Sequence, residues 1–499
     1  MRRARAEADA PPAWGVGCGA APNRCTRRLR AGLLLLFVWA GGAAAGDLDS
    51  YGASAKRFDL PPITESFLAA VEVFPETGLL AGNFELAGRA LVLVDRDLYL
   101  QRARGSSSFV RVAWLADPVD PSFVRISPDG SRIALGLGFA RDLLVLPTSI
   151  LDPVAPPLLD AHPQVDRFAV GYFDAAWLDG TSKLVLSAFT GVSLLDLEGG
   201  GAPVPLVTGG PLDAAGSGGV AVVHRPGSAT DGALLVGIGF DPATGRTGEI
   251  RAFSAVELAA AIAAGTPLDF EAGALVAERV LSANSLAVDP AGNLVVGGGD
   301  FLSADPDESG YAALVAAEVL ERALAGAGGP VDESDPGEYR ELAPDPCGDD
   351  AATGALVAPT GPAVGVMFNP NEGRPCQAPA SDLWLPGTRP AVTLLAAEGA
   401  SDGDGDGIPD LLDNAAATFN PDQRDSDGDG YADVADADLD GDGRVGLRDF
   451  FERFRPCIGL DPSTSPGCAA ADFDGDGTVG LRDFFTTFRP RFGSEEPFE

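Results

Sequence analysis

The sequence predicts a mainly β protein: a β-propeller of six or seven blades, then an acidic segment and a small C-terminal pair of helices. Two observations predict this fold. A hairpin of two apolar strands recurs at a nearly constant period between residues 50 and 395, and aspartate-rich repeats fill residues 401–488. The chain of 499 residues is long enough for two or three domains, and its 45% hydrophobic content supplies a core.

The N-terminus has the pattern of an export signal. Arg27, Arg28 and Arg30 precede an apolar run at residues 33–40, and small residues follow at 43–45. The apolar run is too short to span a bilayer. We therefore expect residues 1–45 to be a leader and the mature protein to be secreted, extracellular or on the cell surface, with the periplasm as the alternative. No stable membrane span is expected after the leader is removed.

The formal net charge of −37, from 72 acidic and 35 basic residues, argues against nucleic-acid binding. Binding to nucleic acid needs a basic surface that neutralises phosphates. The acidic residues are concentrated in the C-terminal repeats, so the excess of negative charge points to metal binding there.

The hairpins of the body share a tight turn between two apolar strands, which is a propeller-blade pattern when it repeats. Their turn glycines are Gly78, Gly130, Gly180, Gly232, Gly292 and Gly354, separated by 52, 50, 52, 60 and 62 residues. Segments 126–130 and 287–293 resemble the inner hairpins of bacterial secreted β-propellers. A series of β-sandwiches is the structural alternative.

Two short helices are predicted within the body. Ser254 and Glu257 form a capping box ahead of residues 258–264, and Gly265 ends that helix. Residues 316–324, followed by Gly326, have the same pattern.

The body contains no nucleophile elbow, phosphate-binding loop, dinucleotide fingerprint or zinc motif. Two acidic groups, in loop 301–311 and around Asp345 and Asp349, are candidate carboxylate pairs for glycoside chemistry. The competing interpretation, solvated acidic loops, is simpler, and we interpret His162 and His224 as structural residues. A catalytic role is therefore less expected than a binding role.

Cys347, Cys376, Cys457 and Cys468 would remain in the mature chain. An even number of cysteines in an exported protein predicts disulfides. The simplest pairing is local, Cys347 with Cys376 and Cys457 with Cys468.

Four acidic loops, beginning at Asp402, Asp425, Asp438 and Asp472, place Asp at positions 1, 3, 5 and 12 and Gly at position 6. This spacing suits Ca²⁺, which takes six to eight oxygen ligands. Loops one and two also have Asp at position 9, and position 7 would contribute its carbonyl oxygen. The predicted ligands of these two loops are Asp402, Asp404, Asp406, Ile408, Asp410, Asp413, Asp425, Asp427, Asp429, Tyr431, Asp433 and Asp436.

Residues 401–437 resemble thrombospondin type 3 repeats. The family has cysteines where this chain has Ala415 and Ala435. The resemblance implies a calcium-ordered stalk (396–437), in which calcium alone would supply the order that a disulfide gives the family. A disordered acidic linker is the competing interpretation.

Loops three and four each run into a predicted amphipathic helix, with Phe at i, i+1 and i+4, and an Arg-Pro pair is expected to end each helix at Pro456 and Pro490. Val445 and Val479, at position 8, are expected to pair the two loops.

Residues 436–492 resemble a type I dockerin, a duplicated loop-helix calcium module of EF-hand type with Asp at position 12. The resemblance implies metal ligation at positions 1, 3, 5, 7 and 12, with water replacing a ligand at position 9. The implied ligands are Asp438, Asp440, Asp442, the Arg444 carbonyl, Asp449, Asp472, Asp474, Asp476, the Thr478 carbonyl and Asp483. It also implies that positions 10 and 11, here Leu447, Arg448, Leu481 and Arg482, select a cohesin-like or other surface partner.

The expected organisation is thus a leader (1–45), a propeller (50–395), the stalk (396–437) and a C-terminal pair (438–492). We expect a secreted calcium-binding protein that attaches a propeller to a partner protein or a surface, with a glycan as a second candidate ligand. The alternative is a secreted polysaccharide hydrolase or lyase carried by its dockerin. Chelation of calcium is expected to unfold residues 400–492 and to leave the propeller intact.

Overall fold

The structure, a computed structural model, describes residues 48 and 54–494 except 66–68, 76–79, 82–83, 103, 105, 107, 139–140, 170, 181, 189–190, 213–216, 239–247, 281–282, 299–310, 333, 343–353, 358–362, 369–390, 397–399 and 411. The predicted leader, the Cys347–Cys376 pair and both acidic groups of the body lie outside the described residues, apart from Tyr311 at the end of the first group. The predicted mainly β fold, arranged as a propeller, is confirmed.

The sheets follow one another along the chain, each starting with its innermost strand. The first blade consists of Ala69–Val73, Ala90–Val94, Asp97–Gln101 and Phe109–Trp114. The second consists of Phe123–Ile126, Arg132–Gly136, Leu143–Pro147 and Asp166–Phe168. The third sheet consists of Asp174–Asp179, Lys183–Ala188, Gly191–Asp196, Val204–Thr208 and Leu268–Asp269.

The fourth blade consists of Ser217–Val222, Leu234–Ile238, Gly248–Phe253 and Ala274–Val280. The fifth consists of Ser285–Val288, Leu294–Gly298, Tyr311–Val315 and Tyr339–Leu342. The closing sheet consists of Gly354–Val357, Ala363–Phe368, Ala391–Ala396 and, at its outer edge, Ser54–Asp59. The innermost strands of successive sheets contact each other, and that of the closing sheet contacts that of the first blade, which completes the ring.

Among the described residues, the regular four-stranded blades number five, not the six or seven that the hairpin period predicted. The third sheet departs from the regular blade because a fifth strand, Leu268–Asp269, joins Val204–Thr208 in parallel. The helix Ala255–Ala264 directs the chain from the fourth blade to this neighbouring sheet. A hairpin count from sequence cannot detect a strand added in this way.

Four of the predicted hairpins form as expected, around Gly130, Gly180, Gly232 and Gly292. In the first blade, Ala69–Val73 pairs with Ala90–Val94 instead of the residues that follow Gly78. Pro75 lacks an N–H donor, so the ladder cannot continue directly into a tight turn. Gly354 lies within a strand, opposite Met367, and not in a turn.

The ring closes through a strand from the start of the described chain. Ser54–Asp59 pairs antiparallel with Ala391–Ala396, from Ser54 opposite Ala396 to Asp59 opposite Ala391. We call the junction between this closing sheet and the first blade the seam. Its core contains Phe58 of the closing strand, Val71 and Val92 of the first blade, and Leu394.

Both predicted helices of the body are present, as Ala255–Ala264 and Ala317–Leu324. Ser254 and Glu257 form the capping box, and Gly265 ends the first helix with a φ of 62°. The remaining helical segments are Thr148–Ile150, Leu159–Ala161, Phe270–Ala272, Asp449–Phe454, Arg455–Cys457, Pro466–Ala471, Leu481–Asp483, Phe484–Phe488 and Arg489–Arg491.

The C-terminal pair has its own core of phenylalanines. The ring centroid of Phe454 lies 5.2 Å from that of Phe488 and 5.8 Å from that of Phe473, and Phe450 lies 5.7 Å from Phe484. The predicted disulfide between Cys457 and Cys468 is confirmed and borders this core.

Two expectations about this pair are wrong. The helical backbone continues one residue past Pro456 and Pro490, to Cys457 and Arg491. The position 8 valines do not bond to each other. Val445 exchanges backbone hydrogen bonds with Gly493 and Ser494, and Val479 exchanges them with Gly459 and Leu460. Each loop thus pairs with the chain that follows the other unit's helix.

Candidate metal sites and the axial charges

Aspartate carboxylates converge at four places in the C-terminal repeats. In loops one and two, the Asp at positions 1, 3 and 5 come together; in loops three and four, those at positions 1, 3 and 12 do so. One oxygen from each residue of a cluster lies within 4.8 Å of the others. The clusters are Asp402, Asp404 and Asp406; Asp425, Asp427 and Asp429; Asp438, Asp440 and Asp449; and Asp472, Asp474 and Asp483.

The backbone of each loop turns around its first aspartate. The N–H of the position 6 glycine donates to that carboxylate in every loop, over distances of 2.9, 3.0, 2.7 and 3.1 Å. These glycines have φ values of 95°, 110°, 86° and 86°, a region that side chains rarely allow. The repeated glycine is therefore required by the turn that gathers the carboxylates.

Position 12 joins the cluster only in loops three and four. Asp449 accepts hydrogen bonds from the N–H groups of Asp440 and Gly446, at 3.0 and 2.6 Å. Asp483 accepts the equivalent bonds from Asp474 and Gly480. In each unit the position 12 carboxylate thus bonds to the backbone of its own loop.

Loops one and two use their later aspartates differently. Asp410 accepts from the N–H of Gly403, and Asp433 accepts from the N–H of Ser426, at 2.6 and 2.7 Å. Asp413 accepts from the amide of Gln423 at 2.6 Å. These residues support the loops from outside the clusters. The predicted ligands that lie outside the four clusters are Ile408, Asp410, Asp413, Tyr431, Asp433, Asp436, Asp442, Arg444, Asp476 and Thr478; as ligands they stay predictions.

The electrostatics of the loops favour a cation. Burial raises the pKa of Asp425 and of Asp449 above its usual range. Burial, with the neighbouring charge of Asp429, raises the pKa of Asp436 well above that range. Asp472 is 2% exposed, and its Oδ1 atom accepts no hydrogen bond from any described residue. Buried carboxylates with unused lone pairs lower their free energy when a positive ion binds.

Two arginines contact the clusters of the C-terminal pair from position 11. Arg448 Nη1 lies 3.3 Å from Asp440 Oδ2, and Arg482 Nε lies 3.1 Å from Asp474 Oδ2. Arg448 and Arg482, which were predicted to select a partner, are therefore also neighbours of the metal-ligand candidates.

The donor set fits a hard cation. Every side chain of the four clusters is a carboxylate, and no His or Cys belongs to them. Oxygen donors suit Ca²⁺, Mg²⁺ or Mn²⁺ better than zinc or copper. The acidic clusters could therefore bind a metal ion, and their geometry alone does not distinguish among these three.

A second cluster of charges lies at the propeller axis. Arg125, on the innermost strand of the second blade, contacts Glu72 of the first blade and Asp174 of the third sheet, at 3.3 and 2.5 Å. It also donates to the Ala175 carbonyl at 2.9 Å and to the Ser285 hydroxyl at 3.4 Å. One arginine therefore joins four sheets of the ring.

Sequence reasoning missed this axial cluster. Glu72, Arg125 and Asp174 each interrupt or begin an apolar innermost strand, at separations of 53 and 49 residues. A charged residue recurring at the blade period was the available signal. His224 fits the structural role predicted for it, since its Nε2 atom lies 2.9 Å from the Trp177 carbonyl oxygen.

No family model matches the sequence, and no curated protein matches it. Among solved structures, a chain of the mitotic checkpoint complex is 13% identical, over 78% of this chain and 99% of that chain, with a TM-score of 0.37. Hydrazine synthase of Kuenenia stuttgartiensis is 12% identical, over 66% of this chain and 85% of that chain, with a TM-score of 0.35. Neither likeness is close enough to carry an argument about this chain.

Within the described part of the chain, no helix combines the length and the apolar composition that crossing a membrane requires.

The axial cluster predicts a specific pH dependence of stability. Burial, opposed by Arg125, raises the pKa of Glu72 to about 7 in the folded protein, from 4.5. The folded state therefore favours the protonated form, and this contribution is complete below pH 4.5 and is lost as the pH rises through 7. Because Glu72→Gln stays neutral, wild type should lose up to about 3 kcal/mol relative to this variant between pH 4.5 and pH 8.

Urea unfolding followed by tryptophan fluorescence would measure this difference. Glu198→Gln, on an exposed turn, is the control. Its free energy of unfolding should change with pH in the same way as that of wild type. If the Glu72→Gln curve is also parallel to wild type across this range, the buried carboxylate does not titrate as described.

Proposed function

We propose that the chain is a secreted calcium-binding protein whose dockerin-like C-terminal pair attaches a β-propeller to a partner protein or a cell surface. The repeated geometry of loops three and four carries the proposal. Each gathers three carboxylates in front of a short helix, and the two units pack through one shared phenylalanine core. An arrangement of this kind is typical of paired calcium loops.

Calcium is the preferred candidate among hard cations because of the loop design. Aspartates at positions 1, 3 and 5 and an acidic residue at position 12, around a glycine at position 6, give a flexible, oxygen-rich loop that suits the larger ion. Mg²⁺ requires tighter octahedral geometry and keeps several waters. The resemblance to dockerins and to thrombospondin type 3 repeats supports the same choice.

The C-terminal pair also has apolar surface available for a partner. Leu447 and Leu481, at position 10 of their loops, are 64% and 69% exposed. Phe451 and Phe485 lie beside them, each exposed and each covered on one side by an arginine, Arg455 or Arg489, 5.7 Å from the ring centroid. Exposed aromatic and arginine side chains are typical of protein interfaces.

We expect the chain to bind Ca²⁺ with a Kd on the order of 10⁻⁴ to 10⁻³ M, the range of extracellular modules. Isothermal titration of the full chain should show fewer bound ions in Asp438→Asn/Asp472→Asn, since each substitution removes the first carboxylate of a cluster. Asp461→Asn, in the exposed connector, is the matched control. Equal stoichiometry in the double variant and the control would contradict the assignment of these two sites.

We expect the full chain to capture a surface protein in Ca²⁺ and to release it in EGTA. Leu447→Ser/Leu481→Ser should reduce capture about tenfold or more, because it removes the apolar centre of the surface. Val154→Ser, on an exposed propeller loop, should capture normally. Capture that the double variant retains would place the partner surface elsewhere, and retention on a glycan column would identify a glycan as the ligand.

A second candidate function, a polysaccharide hydrolase or lyase, has one observation in its favour. Glu72, with a pKa of about 7, and Asp174 share Arg125 at the propeller axis, where a carboxylate pair is expected in such an enzyme. Because the arginine occupies both carboxylates, we expect no turnover in a screen of glycan substrates. Turnover that is lost in Glu72→Gln would favour the enzyme.

A further inference from the structure

The stalk packs against the propeller at the seam. Leu412 of loop one is buried in the same core as Phe58 of the closing strand and Val392 of the neighbouring strand, and Ile408 packs against that core. The first half of the stalk therefore covers the sheet that contains both ends of the ring.

One lysine joins the closing strand directly to the stalk. Lys56 Nζ donates to the Leu412 carbonyl at 2.7 Å and to the Gln423 side-chain oxygen at 3.3 Å. Its charge also interacts with the carboxylates of Asp413 and Asp425, which belong to loops one and two. The chain has only two lysines, Lys56 and Lys183.

Loop two contacts the other side of the seam. Tyr431 Oη donates to the Arg102 carbonyl of the first blade at 2.8 Å. Gly430 approaches the same blade so closely that a Cβ atom there would lie 2.2 Å from Ser106 Oγ. The two loops therefore hold the two sheets that meet where the ring closes.

The closing strand needs this support. It lies at the outer edge of its sheet, and among the described residues it pairs with a single neighbouring strand, Ala391–Ala396. Edge strands open more easily than central strands unless another element covers them. Loss of this strand would weaken ring closure, because the strand pairs with the closing sheet and its chain leads directly into the first blade.

We propose that loops one and two form a calcium-dependent clamp that holds the propeller ring closed. This inference rests on the proposed binding of calcium. Without an ion, repulsion among the gathered aspartates opposes the loop conformation that places Leu412, Gly430 and Tyr431 against the seam. An ion that binds this conformation stabilises the docked loops, and by linkage it stabilises the closing strand that they cover. Chelation of Ca²⁺ should then also destabilise the closing strand of the propeller.

Hydrogen exchange of residues 54–59 in the full chain measures the clamp, with and without Ca²⁺. In wild type, Ca²⁺ should slow exchange of these amides about fivefold or more, in the usual range of coupling between two sites. Lys56→Met should lose most of this calcium-dependent protection, because the variant lacks the link between the closing strand and the loops. Lys183→Met, on the third sheet, should keep it.

A second variant tests the contact with the first blade. Tyr431→Phe keeps the backbone and the ring of the residue and removes only the hydroxyl that bonds to Arg102. The calcium-dependent protection of residues 54–59 should therefore fall in this variant, by a smaller factor than in Lys56→Met. Tryptophan fluorescence follows the remainder of the propeller, since residues 400–499 contain no tryptophan. The denaturation midpoint of this signal should rise with Ca²⁺ in wild type and rise less in Lys56→Met.

Direct titration of Ca²⁺ separates the two proposals. If the chain binds Ca²⁺ and exchange at residues 54–59 does not change, the clamp is wrong and the proposed calcium function stands. If the chain binds no Ca²⁺, both are wrong. Equal calcium-dependent protection in Lys56→Met and Lys183→Met would also overturn the clamp.

Discussion

Repulsion among the gathered aspartates is the constraint on which the C-terminal region of this structure, residues 401–492, depends. Four turns each bring three carboxylates within a few ångströms, and burial raises the pKa of several of these groups. Backbone N–H groups offset part of this cost, but they reach only some of the oxygen atoms. The loops therefore hold a conformation that a bound cation would favour strongly over any alternative.

The propeller, in contrast to the aspartate loops, buries mainly apolar side chains, and the acidic groups at its axis have a basic partner. Its sheets pack through apolar side chains, and its main buried ionisable groups, Glu72, Arg125 and Asp174, contact one another at the axis. Arg125 connects strands that lie about 50 residues apart in sequence, so the cluster also fixes how neighbouring sheets meet. Removing Asp174 would leave the buried charge of Arg125 without its closest partner, a loss that costs about 3–5 kcal/mol. The ring therefore has an ionic centre as well as an apolar core.

Local patterns in the sequence were sufficient to predict local structure. The turns at Gly130, Gly232 and Gly292, the capping box at Ser254, and the carboxylate clusters all follow from residues within about a dozen positions of one another. The closing strand was not predictable, because Ser54–Asp59 takes its partner from the far end of the propeller. The residues of the axial cluster also lie about 50 positions apart, and in the sequence only their recurrence at the blade period links them.

The candidate metal sites show that residue spacing alone does not predict which aspartates join each cluster. All four loops share Asp at positions 1, 3, 5 and 12, yet position 12 enters the cluster only where a helix follows, at Asp449 and Asp483. In loops one and two, Asp413 and Asp436 instead stay with the buried polar groups around Gln423 and Asp438. The conformation after the loop decides the ligand set, and the four shared aspartate positions do not encode it.

The stalk is a connector that is held at both of its ends. Toward the propeller it is held by Lys56 and Tyr431. Toward the C-terminal pair, Arg424 bonds Asp433 of loop two at 2.6 Å and also donates to the Asp472 carbonyl of loop four. A carboxylate of loop two and the backbone of loop four thus share one guanidinium. Because loops that share a cation partner cannot rearrange independently, an ion bound in the C-terminal pair would also favour the loop two conformation that contacts the first blade.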